Sequence, residues 1–238
     1  MRILITNDDG AGASQLPHLI RWWQKIGEVT TVVPKFEQSG KSHGIEIHKP
    51  FEAKQVELEP GLTIWTVDST PADCVRFAIL GLHLEFDLVV SGVNRGLNIG
   101  SDIMYSGTVS AACEAVNLGV KAIALSTPPK NYDRATEELD KIYSFVMTNK
   151  LLEHNNIYNI NIPANSKGIR ITRQGGPYYS DDFAAEAGDM YRPCGKPIWV
   201  DSNDDSLDTD ATLHGYISVT PLTVDKTNHA VYQALTSK

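Results

Sequence analysis

The chain has 238 residues, 42% of them hydrophobic, which is long and apolar enough for one large α/β domain with an appendage. Its 29 acidic residues outnumber its 21 basic residues and give a net charge of −8, with no run of lysine or arginine. This balance argues against binding of duplex nucleic acid or of an anionic membrane surface. The apolar run at the amino terminus is too short for a signal peptide and no stretch reaches the length of a membrane span, so we expect a cytoplasmic protein.

The first predicted strand stops abruptly at an acidic turn. Residues 3–6 are apolar or β-branched without polar alternation, which is typical of a strand covered on both faces in a parallel sheet. The turn that follows is Asn7-Asp8-Asp9-Gly10. Adjacent carboxylates repel each other unless a cation or several donors lie between them, and a hard divalent metal is the simplest compensation. The same residue types also dominate ordinary polar turns, so this stretch alone fits a metal site and a turn equally well.

The residues after this turn predict a β-α-β unit. Apolar residues recur at helical spacing over residues 14–26, where Ser14 is the expected cap, and residues 29–33 form a second apolar run. A strand, a helix and a second strand in this order indicate a right-handed parallel crossover. The fold class that we expect is therefore α/β, with a doubly wound, mostly parallel sheet.

A polar loop that contains glycine follows the second predicted strand, over residues 37–44. Neighbouring parallel strands end at the same edge of a sheet, so we expect this loop beside Asp8. Its Ser39 offers a hydroxyl that can ligate a metal or donate to a phosphate. A serine before a glycine is equally an ordinary turn residue, and the sequence leaves both interpretations open.

The rest of the chain divides into two parts. Residues 45–58 alternate loosely, as in an edge excursion. Strands are predicted over residues 62–67, 86–92, 121–126 and 158–162, and helices over residues 72–80 and 133–147. From residue 168 the pattern becomes irregular and rich in hairpin signals, with strands predicted over residues 169–172, 191–200 and 216–222. We therefore expect a catalytic core at residues 1–165 and a hairpin-rich C-terminal extension at residues 166–238, with a structural or oligomeric role.

The most informative loop separates the strand over 86–92 from a helix rich in small residues. It combines glycines with Asn94 and Asn98, and glycine lets the backbone approach a ligand closely. Asparagine carbonyls suit a hard cation, whereas asparagine amides suit phosphate oxygens. Ser106 and Thr108 then begin the helix, where hydroxyls, free amides and the positive end of the helix dipole can bind a phosphate. Ordinary capping by Ser106 predicts the same pattern.

Short motifs in order along nearly the whole chain resemble one known family. They are Ile5-Thr6-Asn7-Asp8-Asp9-Gly10, Gln38-Ser39-Gly40, Thr70-Pro71-Ala72-Asp73-Cys74-Val75, the segment Asp87 to Asn98, Tyr105-Ser106-Gly107-Thr108-Val109, Asn159-Ile160-Asn161-Ile162-Pro163, Thr209-Asp210, and the segment Gly215 to Leu222. In these motifs the chain resembles the SurE family, the stationary-phase survival protein that acts as a metal-dependent nucleotidase.

The resemblance implies a Rossmann-like core whose C-terminal extension is exchanged between the subunits of a homodimer or homotetramer. It implies a 5′-nucleotidase that also hydrolyses nucleoside 3′-monophosphates and sometimes short polyphosphate, with one Mg²⁺ or Mn²⁺ per subunit. By position, the metal ligands are Asp8, Asp9, Ser39 and Asn94, and the phosphate-binding residues are Asn98, Ser106, Gly107 and Thr108. Asp8 and Asp9 are the expected catalytic residues, and Asp8 is the one expected to orient the nucleophilic water.

The chain departs from the family pattern beside the expected site. The turn at residues 13–15 reads Ala-Ser-Gln where the family usually has Ala-Pro-Gly, and serines at positions 69 and 110 replace usual glycines. We expect these changes to affect the entry to the first helix and the packing beside the phosphate loop.

Two other functions also place an acidic pair at the end of a first strand. One is covalent catalysis through an aspartyl-phosphate, as in haloacid-dehalogenase-type phosphatases, where one residue separates the aspartates. Asp8 and Asp9 are adjacent, so only one of them faces inward along the strand. The other is a receiver-like, magnesium-binding module that accepts phosphate on Asp68 without turnover. The chain is too long for such a module, no lysine ends the strand at Ser126, and the loops over 94–108 would be unexplained.

Overall fold

The computed structural model describes residues 1–237, with one nine-stranded sheet and two small hairpin sheets. The strands of the large sheet are β1 (Arg2–Thr6), β2 (Glu28–Pro34), β3 (Ala53–Glu59), β4 (Leu62–Val67), β5 (Leu88–Arg95), β6 (Lys121–Thr127), β7 (Ile157–Asn161), β8 (Ile169–Ile171) and β13 (Ile217–Pro221). The hairpin strands are β9 (Tyr179–Ser180), β10 (Phe183–Ala185), β11 (Tyr191–Pro193) and β12 (Lys196–Pro197).

Helices connect these strands. The α-helices are α1 (Leu16–Trp23), α2 (Pro71–Arg76), α3 (Gly107–Asn117), α4 (Leu139–Thr148), α5 (Leu151–His154), α6 (Asp208–Leu213) and α7 (His229–Thr236). A π-helical turn covers Phe77–Gly81, and 3₁₀ segments cover Gly100–Tyr105 and Pro129–Glu138. Within residues 1–237, no helix combines the length and the apolar composition needed to cross a bilayer.

The strand order in the large sheet is β3-β4-β2-β1-β5-β6-β7-β13-β8. The strands from β4 to β7 in this order are parallel to one another, whereas β3 and β13 run antiparallel to β4 and β7. The chain winds outward from β1 in one direction and returns to its other side with β5, so the carboxyl end of β1 is a topological switch point. Ligands of open α/β sheets bind at such points. The predicted α/β, doubly wound sheet is confirmed.

The core consists of two apolar layers, one on each face of the sheet. Ile3 and Ile5 pack on the face that α1 and α4 cover, and Leu4 packs on the face that α2 and α3 cover. Successive side chains of a strand point to opposite faces, so both faces of β1 require apolar residues. This burial explains why β1 has no polar alternation, and it fixes the place where the acidic turn leaves the sheet.

Several helix boundaries differ from the sequence predictions; for example, the helix predicted over residues 72–80 is α-helical only as far as Arg76 and π-helical over Phe77–Gly81. The prediction that Ser14 caps the first helix is wrong: α1 begins at Leu16 after Gln15, and no side chain caps it. The helix predicted over residues 133–147 is a 3₁₀ segment as far as Glu138 and an α-helix only from Leu139. Two buried residues of this 3₁₀ segment, at positions 132 and 135, lie three residues apart, which places them on one side of a 3₁₀ helix.

The last strand, β13, belongs to the large sheet and not to the hairpins. We predicted residues 216–222 as part of an irregular appendage, and this prediction is wrong, because β13 pairs with β7 and with β8. Ile217 and Val219 are completely buried in the core. The pairing joins segments far apart in sequence, so no local pattern indicates it. The division of the chain at residue 165 stays a prediction.

Candidate active site

The acidic turn after β1 is closed by its own asparagine. Asn7 Oδ1 accepts a hydrogen bond from Gly10 N at 3.1 Å, and Asn7 Nδ2 donates to Gly10 O at 3.0 Å. Gly10 has a φ of +81°, and a Cβ at this position would lie 2.9 Å from the Phe36 carbonyl carbon. Only glycine fits both conditions, and the tight turn directs the two aspartates to the carboxyl edge of the sheet.

Asp8 lies in the core of this edge, against the first turn of α3. It is 4% exposed, and the Thr108 hydroxyl donates a hydrogen bond to its Oδ1. Gly107 lets the helix approach, since a Cβ there would lie 3.1 Å from Asp8 Cβ. Burial, with a smaller contribution from the negative charge of Asp9, raises the pKa of Asp8 to about 6, although the hydrogen bond from the Thr108 hydroxyl opposes the shift. The carboxylate form is therefore costly here without a cation.

Asp9 is half-buried and lies between β5 and the 3₁₀ segment after β6. Its Oδ2 accepts hydrogen bonds from Arg95 N at 3.0 Å and from Tyr132 Oη at 3.4 Å. The pKa of Asp9 is raised, and burial is the largest cause of this shift. The nearby negative charge of Glu37 also raises it. The buried Asp8, the half-buried Asp9 and a further acid, Glu37, are thus concentrated at one strand end.

Asn94 lies at the end of β5, the strand next to β1. Its Nδ2 donates to Gly96 O at 3.0 Å, so Oδ1 is the atom of this side chain that is available as a ligand. Asn94 and Asp9 approach the same edge, because the residue after Asn94 donates its backbone amide to Asp9.

The loop with Ser39 contacts the acidic turn through its backbone. Gln38 N donates to Asp8 O at 2.7 Å, which confirms the prediction that this loop lies beside Asp8. Ser39 itself is exposed, and its hydroxyl donates to Glu37 Oε1 at 2.7 Å. Its role as a metal ligand stays a prediction.

Three of the four residues predicted to bind phosphate, Asn98, Ser106 and Thr108, use their side chains in hydrogen bonds within the protein. Ser106 Oγ accepts from Val109 N at 3.1 Å and caps α3, the alternative that the sequence had left open. The Thr108 hydroxyl donates to Asp8, and Asn98 Nδ2 donates to Ser126 Oγ at 2.8 Å. Their roles towards phosphate stay predictions.

A cleft of about 340 Å³ opens beside Asp9. It is lined by Asp9, Gly12, Ala13, Ser14, Glu37, Arg95, Pro129, Tyr132 and Asp133. Neither Arg95 nor Tyr132 was predicted from the sequence as a residue of this region. The position of Arg95 directly after a predicted ligand is a signal that could have identified it. Tyr132 reaches Asp9 across 123 positions of sequence, and no local motif indicates this contact.

Comparison with known proteins identifies the family. The family model described as "Survival protein SurE" matches residues 3–181. The chain belongs to the SurE family. A protein named "5'-nucleotidase SurE" from Thermoanaerobacter sp. (strain X514) is 37% identical over 254 residues, which cover 100% of this chain and 98% of the relative. The protein of the same name from Gemmatimonas aurantiaca is 39% identical over 257 residues, with 99% and 98% covered.

A solved structure of this family has the same fold. The crystal structure of the SurE protein from Aquifex aeolicus superimposes with a TM-score of 0.81 at 31% sequence identity, over 100% of this chain and 99% of that chain. The similarity extends over the whole chain, so the hairpins and β13 are included in it.

Two serines that depart from the usual SurE pattern fit into the structure. Ser69 Oγ donates to Asp73 Oδ2 at 2.5 Å, next to the Thr70 hydroxyl that caps α2. Ser110 is buried within α3. Neither serine contacts Asp8 or Asp9 through a hydrogen bond among the residues that the structure describes.

The donor set at this SurE site has the chemistry of a hard cation site. Among residues 1–237, no group of three or more histidine, cysteine, aspartate and glutamate side chains could hold a metal ion. The predicted ligands instead combine two carboxylates with amide and hydroxyl oxygens, the donors that Mg²⁺ and Mn²⁺ prefer. Burial raises the pKa values of Asp8 and Asp9, and a bound cation would stabilise both carboxylates in their charged form.

Proposed function

We propose that this chain is a divalent-metal-dependent phosphomonoesterase that hydrolyses nucleoside 5′-monophosphates to nucleoside and phosphate. Full-length similarity to relatives named 5′-nucleotidase supports the nucleotidase activity. The observation that supports the mechanism is the pair of the buried Asp8 and the half-buried Asp9 at the switch point of the sheet. We extend the proposal to nucleoside 3′-monophosphates and short-chain polyphosphate as further substrates.

Asp8, Asp9, Ser39 and Asn94 would hold one Mg²⁺ or Mn²⁺ per subunit. When bound, such an ion polarises a phosphate oxygen and makes a water molecule more acidic. Asp8 would orient the attacking water, and its burial beside the first turn of α3 places it for this role. The Thr108 hydroxyl holds the Asp8 carboxylate in one rotamer.

Asn98 and the first turn of α3 stabilise negative charge on the phosphate. The Asn98 amide has two hydrogens, and the bond to Ser126 uses one of them. The Gly107 amide lies at the amino end of α3, where the helix dipole favours an anion. Fixed donors of this kind act where charge develops in the transition state. The cleft beside Asp9 offers space for the nucleoside.

We also infer that the chain assembles as a homodimer or homotetramer through its C-terminal residues. Helix α7 has no buried residue, and three of its apolar side chains, Val231, Tyr232 and Leu235, are at least half exposed. Exposed apolar faces of this kind often mark protein interaction surfaces. Light scattering is expected to give two or four times the chain mass of 26.2 kDa, and a monomer at that mass would contradict this inference.

The test of the proposed function is phosphate release from a panel of nucleoside 5′- and 3′-monophosphates and short polyphosphate. The protein is assayed with EDTA and then with Mg²⁺ or Mn²⁺ added back. We expect release only after metal addition, with 5′-monophosphates among the substrates. Undiminished release in EDTA would contradict the metal requirement, and no release with either metal from folded protein would contradict the activity.

A further inference from the structure

Strand β7 contains two asparagines in the most buried part of the protein. Asn159 and Asn161 are completely buried, in a strand whose five residues are all buried. Asparagine is depleted in strands, and a buried amide is costly unless it is hydrogen-bonded. Their presence here calls for a physical reason.

Both asparagines bind the backbone of a single residue, Asn98. Asn159 Nδ2 and Asn161 Nδ2 donate to Asn98 O at 2.8 and 2.9 Å. Asn98 N donates to Asn161 Oδ1 at 2.9 Å. The side chain of Asn161 thus fixes both backbone groups of Asn98, as a neighbouring strand would do, although Asn98 lies in a loop.

The side chain of Asn98 is fixed from the adjacent strand, β6. Its Nδ2 donates to the buried Ser126 Oγ at 2.8 Å, and Ser126 is the register partner of Asn161. Backbone and side chain are therefore held by consecutive strands of the sheet, so the loop residue has the rigidity of the core.

The side chain of Asn159 contains one polar atom that destabilises the folded protein. Its Oδ1 is buried and has no hydrogen-bond partner among residues 1–237. An unsatisfied buried acceptor destabilises the folded state, and an apolar residue of similar size would avoid this cost. The bond that Asn159 donates to Asn98 is what the asparagine contributes in return.

We propose that Asn159 and Asn161 are positioning residues that hold Asn98 in the geometry in which its amide meets the substrate phosphate. This inference rests on the proposed nucleotidase function. The two residues touch no reacting atom and act through Asn98. Asn161 makes two of the three bonds to the Asn98 backbone, so it has the larger effect.

The test is a double-mutant cycle between Asn161→Leu and Asn98→Ala, with Asn159→Leu as a milder second variant. A misplaced contact costs up to about 10²-fold in rate, so we expect Asn161→Leu to lower kcat about 10- to 100-fold, with a smaller change in KM. In the Asn98→Ala background the same substitution is expected to lower kcat less than about twofold. Equal losses in both backgrounds would contradict action through Asn98.

Ile160→Val is the matched control. Ile160 is completely buried and lies between the two asparagines in sequence, and its substitution is expected to lower Tm but to leave kcat unchanged.

Deuterium exchange at the Asn98 amide separates this inference from the proposed function. If the wild-type protein releases no phosphate with either metal, the proposed function fails, and the exchange rate still decides whether the asparagines hold the loop. We expect exchange at Asn98 to become at least about tenfold faster in Asn161→Leu, while the amides of β1 remain protected. Unchanged exchange at Asn98 would overturn the inference.

Discussion

The candidate site has two halves that differ in how their polar side chains are satisfied: a carboxylate half with Asp8, Asp9 and Asn94, and a phosphate half with Asn98 and Thr108. In the carboxylate half, Asp8 and Asp9 have raised pKa values, and Asn94 Oδ1 is available as a ligand. In the phosphate half, the side chains of Asn98 and Thr108 already donate hydrogen bonds within the protein. The first half is therefore suited to the proposed cation, whereas the second is already fixed by hydrogen bonds within the protein. Polar residues can be buried at a site either because a ligand completes them or because they hold other groups in place.

Asp8→Asn tests the carboxylate half and should have the largest effect. The substitution preserves shape but removes the charge, so we expect kcat/KM to fall about 10³-fold or more, equivalent to roughly 4 kcal/mol. The fold should remain, and circular dichroism with a thermal melt checks this. Near-wild-type turnover in a folded Asp8→Asn protein would remove Asp8 from the mechanism.

Thr108→Val tests the connection between the two halves. It removes the hydroxyl that donates to Asp8 and nearly preserves the volume of the side chain. A hydrogen bond to a charged group contributes about 1–3 kcal/mol, so we expect a loss of roughly 10- to 100-fold in kcat/KM. Thr108→Ser keeps the hydroxyl and serves as the matched control. Equal losses in the two variants would mean that packing, and not the hydrogen bond, is responsible.

Asp208→Asn tests whether the phosphate half depends on distant residues. The completely buried Asp208 carboxylate accepts from Gly100 N at 3.1 Å and from Gly175 N at 2.8 Å, so it connects the loop after β5 to the C-terminal segment. Burial raises the pKa of Asp208, although the hydrogen bonds from the Gly175 and Gly100 amides oppose the shift. The asparagine keeps one acceptor oxygen, and we expect a loss of about threefold to tenfold in kcat/KM.

The control for this variant is Asp205→Asn, an acid of the same segment that contacts His214 and not the loop. We expect its kcat/KM to remain at the wild-type level. A loss equal to that of Asp208→Asn would indicate a general effect of charge in this segment, and not an effect on the Gly100 loop.

The pH dependence of stability isolates the carboxylate half without any substrate. Burial raises the pKa of Asp8 from 3.8 to about 6, so between these values the folded protein keeps a proton that the unfolded chain releases. In EDTA, wild-type protein should lose stability relative to Asp8→Asn as the pH rises through this interval. Urea unfolding of both proteins across the interval measures the difference. A constant difference would contradict the raised pKa.

Local sequence patterns predicted the carboxylate half better than the phosphate half. The apolar run of β1 and the Asn7–Gly10 turn are contiguous, so their geometry follows from local rules. The contact of Thr108 with Asp8 spans 100 positions, and the bonds of Asn98 to β7 span 61 and 63 positions. Such contacts depend on the packing of the sheet. The insertion of β13 beside β7 was missed for the same reason.

The central claim is that a divalent cation completes the carboxylate half. Titration calorimetry of Mn²⁺ into metal-free wild-type protein and into Asp8→Asn tests it most directly. The account predicts one ion per chain for the wild-type protein and at least about 100-fold weaker binding for Asp8→Asn, since a buried carboxylate ligand is lost. Equal Mn²⁺ affinity in the two proteins, or no binding to the wild-type protein, would contradict it.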